Sequence, residues 1–257
     1  MAGKLKWIGP LAGLLLAGCA TTQAAPPPPT SIAEVGELRA GLGIAKGYLA
    51  PQALPNSLAL LPAPPAAGSA AQAADEAAFR EAMSATPERF AQASADADLR
   101  WPQAIAGFEA ILGQSVSGPA TPHTAMLVRR AMADAGLSTY RAKTHYQRTR
   151  PFVVNSVPTC TPADEAALKT DGSYPSGHSA IGWMLGLLFT DLVPDKADPL
   201  LKRGFDFAES RVVCRVHWQS DVAAGRLMAS AVYARLQSDP VFKAQRDLAR
   251  AELAPAR

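Results

Sequence analysis

The chain is short of the features that mark several classes of protein. It has three cysteines and four histidines in 257 residues. None of these has the spacing of zinc ligands, so a zinc site is not expected. Beyond the N-terminus no apolar run reaches the ~18 residues needed to span a bilayer. The longest, Ala180 to Val193, is broken by Asp191. The formal net charge is only +3, too small to argue for a nucleic-acid partner, and cations matter here by position rather than by total. Strand-like alternation, strong hairpin signals and internal repeats are also lacking, which leaves an all-β fold without support.

What is present suits one domain of ordinary size with a substantial core. The hydrophobic fraction is 48%. Residues 1–18 read as a signal peptide, with Lys4 and Lys6 ahead of a short apolar run from Trp7 to Ala17. The run ends in Leu16-Ala17-Gly18-Cys19, which resembles a bacterial lipobox. That resemblance implies cleavage before Cys19 and a lipid on it. The other reading is an ordinary secretory signal with an incidental cysteine. Ala20, rather than Asp, implies the outer membrane. Residues 19–35, with Pro26 to Pro29, form a tether. The glycine-rich stretch Gly36 to Gly47 reads as an ordinary loop, because no strand signal precedes it.

From residue 36 to 257 the pattern is that of an all-α, compact single-domain helical bundle. Helices are expected from Ser69 to Ala85, from the Thr86-Pro87-Glu88 start, and over Pro102–Leu112, Pro122–Ala135 and Ser138–Tyr146. Gly136 should close the fourth of these. Further helices are expected at Gly177–Leu192, Pro199–Val213, Gln219–Leu236 and Pro240–Glu252.

The most informative stretch is Ser173-Tyr174-Pro175-Ser176-Gly177-His178. Pro175 stops regular structure, Ser176 is a good N-cap, and Gly177 lets a ligand approach the backbone. A helix N-terminus here would offer free N–H groups to an anion, phosphate being the usual one. His178 stands one step inside, placed to trade a proton. Upstream lie Lys143 and, seven residues on, Arg150-Pro151; downstream lie Ser210-Arg211, His217 and Asp221. Three cations, two histidines and a carboxylate suit phosphoryl transfer without a metal.

These three stretches, Lys-x6-Arg-Pro, Pro-Ser-Gly-His and Ser-Arg-x5-His-x3-Asp, resemble the signature of the type 2 phosphatidic acid phosphatase superfamily, which also contains the vanadium haloperoxidases. The fuller strings Gly172 to Ser179 and Glu209 to Arg226 look like the class A bacterial non-specific acid phosphatases in particular. The resemblance implies that Lys143, Arg150 and Arg211 clamp phosphate oxygens, and that Ser176 and the N–H groups of Gly177 and His178 complete the cradle. It implies His217 as nucleophile, Asp221 as its partner and His178 as general acid. Asp221 also follows His217 at same-face helical spacing, although such a pair alone is more often a surface ion pair. Ser176 reads equally as a plain N-cap. Arg141, Arg148 and His145 read as a solvated basic face. Tyr174 is a candidate for lining the entrance and stacking on aromatic leaving groups. Cys160 and Cys214 would pair as a disulfide stapling the loop before Pro175 to the segment of Arg211 and His217; two free buried thiols are the alternative.

The expected function is a metal-independent acid phosphatase acting on a broad range of phosphomonoesters through a phosphohistidine, with no cofactor. It would be periplasmic, touching the membrane only through the lipid, with homo-oligomerisation left open. A vanadate-dependent haloperoxidase and a non-catalytic phosphate-binding lipoprotein are the alternatives.

Overall fold

Helix α10, Gly177–Leu192, is the element on which the others pack. Ser176 is extended at its start and its hydroxyl accepts from the N–H of Ser179, so the helix begins where the serine predicts. The sequence that follows is apolar nearly all round, as suits a helix covered on every side.

The computed structural model describes residues 26–254, together with Gly3. The expected signal peptide over residues 1–18, apart from Gly3, together with Cys19 and the first part of the expected tether, therefore lies outside the described residues. In chain order the helices are α1 Ile32–Val35, α2 Ser57–Leu60, α3 Ala70–Ala82, α4 Pro87–Ala95, α5 Ala106–Leu112, α6 Pro122–Leu137, α7 Tyr140–Tyr146, α8 Pro151–Val154 and α9 Glu165–Lys169. After α10 come α11 Ala197–Val213, α12 Gln219–Leu236 and α13 Pro240–Leu253. Among the described residues the only β-pairing is a single antiparallel bridge, Glu37 with Ala45. The molecule is an all-α, compact single-domain bundle. No helix among the described residues is long and apolar enough to cross a membrane.

Local chemistry explains the boundaries. Ser69, Thr86 and Asp239 cap α3, α4 and α13 through their side chains, and Pro87, Pro122 and Pro240 sit where a missing N–H costs nothing. The start of α6 is capped from a distance: the Glu252 carboxylate of α13 accepts from the N–H groups of His123 and Thr124, at 2.8 Å each. Gly136 does not close α6. It is followed by Leu137 in the same helix, because Ile181 packs against the face that the glycine leaves bare.

Helices α6, α11 and α12 surround α10, α13 lies on α6, and α3 and α4 lie on α11. The core between them includes Met184, Leu185, Leu188, Phe189, Phe207 and Val232. The crossing of α10 and α11 is a backbone contact. A Cβ on Gly204 would stand 2.9 Å from Gly186 Cα and 3.0 Å from the Gly182 carbonyl oxygen. Cys160 and Cys214 form a disulfide, with Cα atoms 4.8 Å apart. It fastens the loop leading to α10 to the end of α11. Because no side chain can yield at the glycine crossing, Gly204→Val should lower unfolding stability by about 3 kcal/mol, read from urea denaturation followed by circular dichroism.

Candidate active site

A cavity of 440 Å³ opens at the N-terminal end of α10, and Lys143, Arg150, Gly177, His178, Arg211 and His217 all line it. Lys143 lies in the last turn of α7 and is buried. Its Nζ donates to the Gly172 carbonyl at 2.7 Å and stands 3.7 Å from Asp171. Helical spacing does not bring Arg150 beside it. Gln147, in the left-handed conformation, ends α7, and Arg150 is extended ahead of Pro151. The two cations meet because the chain turns back at Gln147 and Arg150 reaches inward, donating to Asp171 at 3.1 Å and to the Val216 carbonyl at 3.0 Å. Arg211, on the last turn of α11, is fully buried, and its Nε and Nη1 have no hydrogen-bond partner among the described residues. Burial, reinforced by Arg150, disfavours the charge on Arg211. A buried guanidinium with free donors is a site that an anion would satisfy.

His217 is buried just before α12, not inside it. Arg150 Nη1 lies 3.0 Å from its Nε2. A guanidinium only donates, so Nε2 is the acceptor and Nδ1 carries the ring proton. Nδ1 lies 3.4 Å from Asp221 Oδ2, close but outside hydrogen-bond geometry. Asp221 sits in the first turn of α12 and is already engaged: Oδ2 accepts from the Trp218 N–H at 2.8 Å, and Oδ1 accepts from Arg148 at 2.6 Å. The pair therefore meets across a helix N-terminus rather than along a helix face. On the opposite side, His178 Nε2 lies 3.2 Å from the Ala97 carbonyl. A carbonyl only accepts, so Nε2 carries the proton and Nδ1 is free to exchange one. Burial and then Arg211 and His217 push His178 well below the usual histidine range; burial and then Arg150 and Lys143 do the same to His217. The Ser176 hydroxyl is occupied in capping α10, bonded to the N–H and hydroxyl of Ser179, and does not line the cavity. Its N–H donates to the Asp221 carbonyl at 3.0 Å, which ties α10 to α12 behind the histidines.

Comparison of the sequence with known proteins points to one family. The PAP2 superfamily model matches residues 124–239. A non-specific acid phosphatase from Providencia stuartii is 41% identical over 77% of this chain and 81% of its own length. An acid phosphatase from Zymomonas mobilis is 41% identical over 79% and 77%. A non-specific acid phosphatase from Salmonella typhimurium is 38% identical over 80% and 83%. The chain belongs to the class A bacterial non-specific acid phosphatases, within the PAP2 superfamily.

This acid phosphatase also uses residues that its motifs do not announce. Arg148 was expected on a solvated face, as Arg141 and His145 indeed are. Instead its guanidinium is buried between two carboxylates, Asp221 at 2.6 Å and Asp75 of α3 at 2.8 Å, and lies over the Trp218 ring. Asp75 in turn accepts from the N–H and hydroxyl of Ser220 at 2.8 and 2.6 Å. A lone arginine amid exposed neighbours gives no sign of this, since its partner is 73 residues away. Asp171, which holds both Lys143 and Arg150, was likewise missed. Tyr174 is buried, donates to the Pro62 carbonyl and packs on Tyr146, so it does not line the entrance. Ser210 binds Asp96 and Arg89 and makes no contact that orients Arg211. Among the described residues no group of three or more His, Cys, Asp or Glu is arranged as metal ligands. Arg148→Met would leave Asp75 and Asp221 buried without their counter-charge. It should cost about 3–5 kcal/mol of stability, measured by urea unfolding beside Arg141→Met, which should change little.

Proposed function

We propose that the protein is a phosphoric monoester hydrolase that works in acid by two-step transfer through His217. The observation that carries this reading is that three buried cations line one cavity with two histidines, Arg150 lying against Nε2 of His217. A substrate phosphate would lie among Lys143, Arg150, Arg211 and the first N–H groups of α10. Arg150 now occupies the His217 Nε2 lone pair; turning its guanidinium to the phosphate oxygens would free that nitrogen to attack. The P–N bond forms as the P–O bond to the alcohol breaks, and the alkoxide takes a proton from His178. Asp221 faces the ring proton on Nδ1 and would offset the positive charge of the phosphohistidine. Water then attacks phosphorus, His178 takes its proton, and the P–N bond breaks to release phosphate. The three cations supply the charge compensation that a metal ion gives elsewhere, so the scheme calls on none.

The relatives' names, acid phosphatase and non-specific acid phosphatase, support the same reading. The charge pattern accounts for acid operation. Because burial and cations hold His217 neutral well below the usual range, it stays nucleophilic in acid. Binding of a phosphate dianion beside Arg211 would relieve His178 and restore its proton. Periplasmic location with a lipid on Cys19 is part of the proposal; it is supported by the signal-like residues 1–18 and by the disulfide, a bond of oxidising compartments.

Two measurements test the scheme. Hydrolysis of p-nitrophenyl phosphate at mildly acidic pH should survive EDTA and fall at least about 10³-fold in His217→Ala; turnover retained in that variant would overturn the role of His217. Lys143 is drawn down to about 8 by burial and then Arg150. Its deprotonation would weaken the cradle, so kcat/KM, which reports the free enzyme, should show a further decline above that pH, beyond the one set by loss of the His178 proton. In Lys143→Arg the decline should move to higher pH, since an arginine keeps its proton.

A further inference from the structure

Beside the cradle residues the same cavity is lined by apolar side chains. They include Leu38 and Leu42 from the N-terminal segment, Leu137 of α6, Tyr140 of α7, and Ile181 of α10. Singly exposed apolar side chains are ordinary on a protein surface, but several gathered at one concave site mark a place for an apolar ligand. Leu38 is 39% exposed, Leu137 36% and Tyr140 51%, all on the rim of this one cavity.

The N-terminal wall is built to stay in place. Residues 36–47 double back on themselves: the Leu38 N–H donates to the Ile44 carbonyl at 2.8 Å, and the Lys46 N–H to the Gly36 carbonyl at 2.9 Å. The Glu37 carboxylate accepts from the Gly43 N–H at 2.6 Å. Gly43 has a positive φ of 67°, and a Cβ there would stand 2.8 Å from Trp101 Cβ, so the turn sits directly on Trp101. The Trp101 N–H donates to the Leu42 carbonyl at 2.9 Å, and Arg129 lies over the Trp101 ring. The stretch that reads as an ordinary loop is thus a fixed wall of the site.

Resting on the phosphatase reading above, the geometry points to a substrate class: phosphomonoesters whose alcohol is apolar or planar, held between Leu38, Leu42, Leu137 and Tyr140, in preference to phosphates of polyols. An apolar alcohol would gain by leaving water against these side chains. A sugar or glycerol hydroxyl in the same place would lose its water partners and find few replacements outside the cradle: Arg39, the Tyr140 hydroxyl and the Asp171 carboxylate, which Lys143 and Arg150 already engage. Tyr140, not the buried Tyr174, is the aromatic ring that the alcohol would meet.

The test compares 2-phenylethyl phosphate with glycerol 3-phosphate on the whole chain at mildly acidic pH. Both release a primary alkoxide, so leaving-group reactivity is similar and the ratio of their kcat/KM values reports the alcohol site. The ratio should favour the phenylethyl ester by about tenfold or more, chiefly through KM. In Leu38→Asn and in Tyr140→Ser, both at half-exposed positions that the fold does not need, the ratio should fall towards one as KM for the phenylethyl ester rises. A wild-type ratio near one, or a ratio that neither variant moves, would overturn the assignment of this wall. Failure to hydrolyse either ester would instead overturn the phosphatase reading on which it rests.

Discussion

Positive charge buried with too little negative charge beside it is the constraint that orders this molecule. Lys143, Arg150 and Arg211 are all buried at the cavity floor. Lys143 and Arg150 share Asp171, whose carboxylate is partly exposed, and Arg211 has no ion pair among the described residues. Holding cations in this way is costly unless something compensates. Part of the compensation is backbone: carbonyls of Gly172, Leu168, Asp171 and Val216 accept from Lys143 and Arg150. The rest suits an incoming phosphate. The same field sets the proton chemistry, because it keeps both histidines neutral and makes Lys143 a weaker base than a solvated lysine.

A second charge system lies behind the first and has the opposite balance. Asp75 and Asp221 bracket Arg148, giving two carboxylates to one cation. Burial pushes the Asp221 carboxyl up, and Arg148 with the Trp218 N–H pulls it back. Asp221 is thereby aimed at His217 from a rigid support. Asp75 comes from α3, which lies outside the region matched by the superfamily model, and it engages Ser220 at the start of α12. The N-terminal helices are therefore part of the catalytic frame and not a covering added to it.

Much of the fold was legible because its boundaries are written in local chemistry. The expected spans of α10 and α12 coincide with those observed, and the others differ by a few residues where capping or a distant partner decides. Gly136 misleads because its role is to admit Ile181, a tertiary fact. The cradle residues were legible as a motif, but the reasons for their meeting were not. Helical spacing suggested the His217–Asp221 pair, and in the structure a helix N-terminus brings it together instead. Lys143 and Arg150 meet through a left-handed Gln147 that no motif announces. Arg148, Asp75 and Asp171 were invisible because what distinguishes them is burial and partners far along the chain. Tyr140 lines the cavity where Tyr174 was expected for the same reason: both lie near the motifs, and only packing tells which ring faces the cavity.

The two sets of side chains that line the cavity are thus drawn from different parts of the chain. Every group proposed to address phosphate lies between Lys143 and Asp221, on the ends of α7, α10 and α11 and the segments joining them, and is held by the bundle, the disulfide and the link from Ser176 to Asp221. The outer apolar wall owes Leu38 and Leu42 to a segment held mainly through its own turn and Trp101. A change in the first set alters charges that are mutually dependent and disturbs the reaction itself. On the substrate class proposed above, a change in the second would alter which alcohol is accommodated. Such a division lets one phosphate chemistry persist while the preferred alcohol drifts, and it locates that drift in residues 36–47 and at the start of α7.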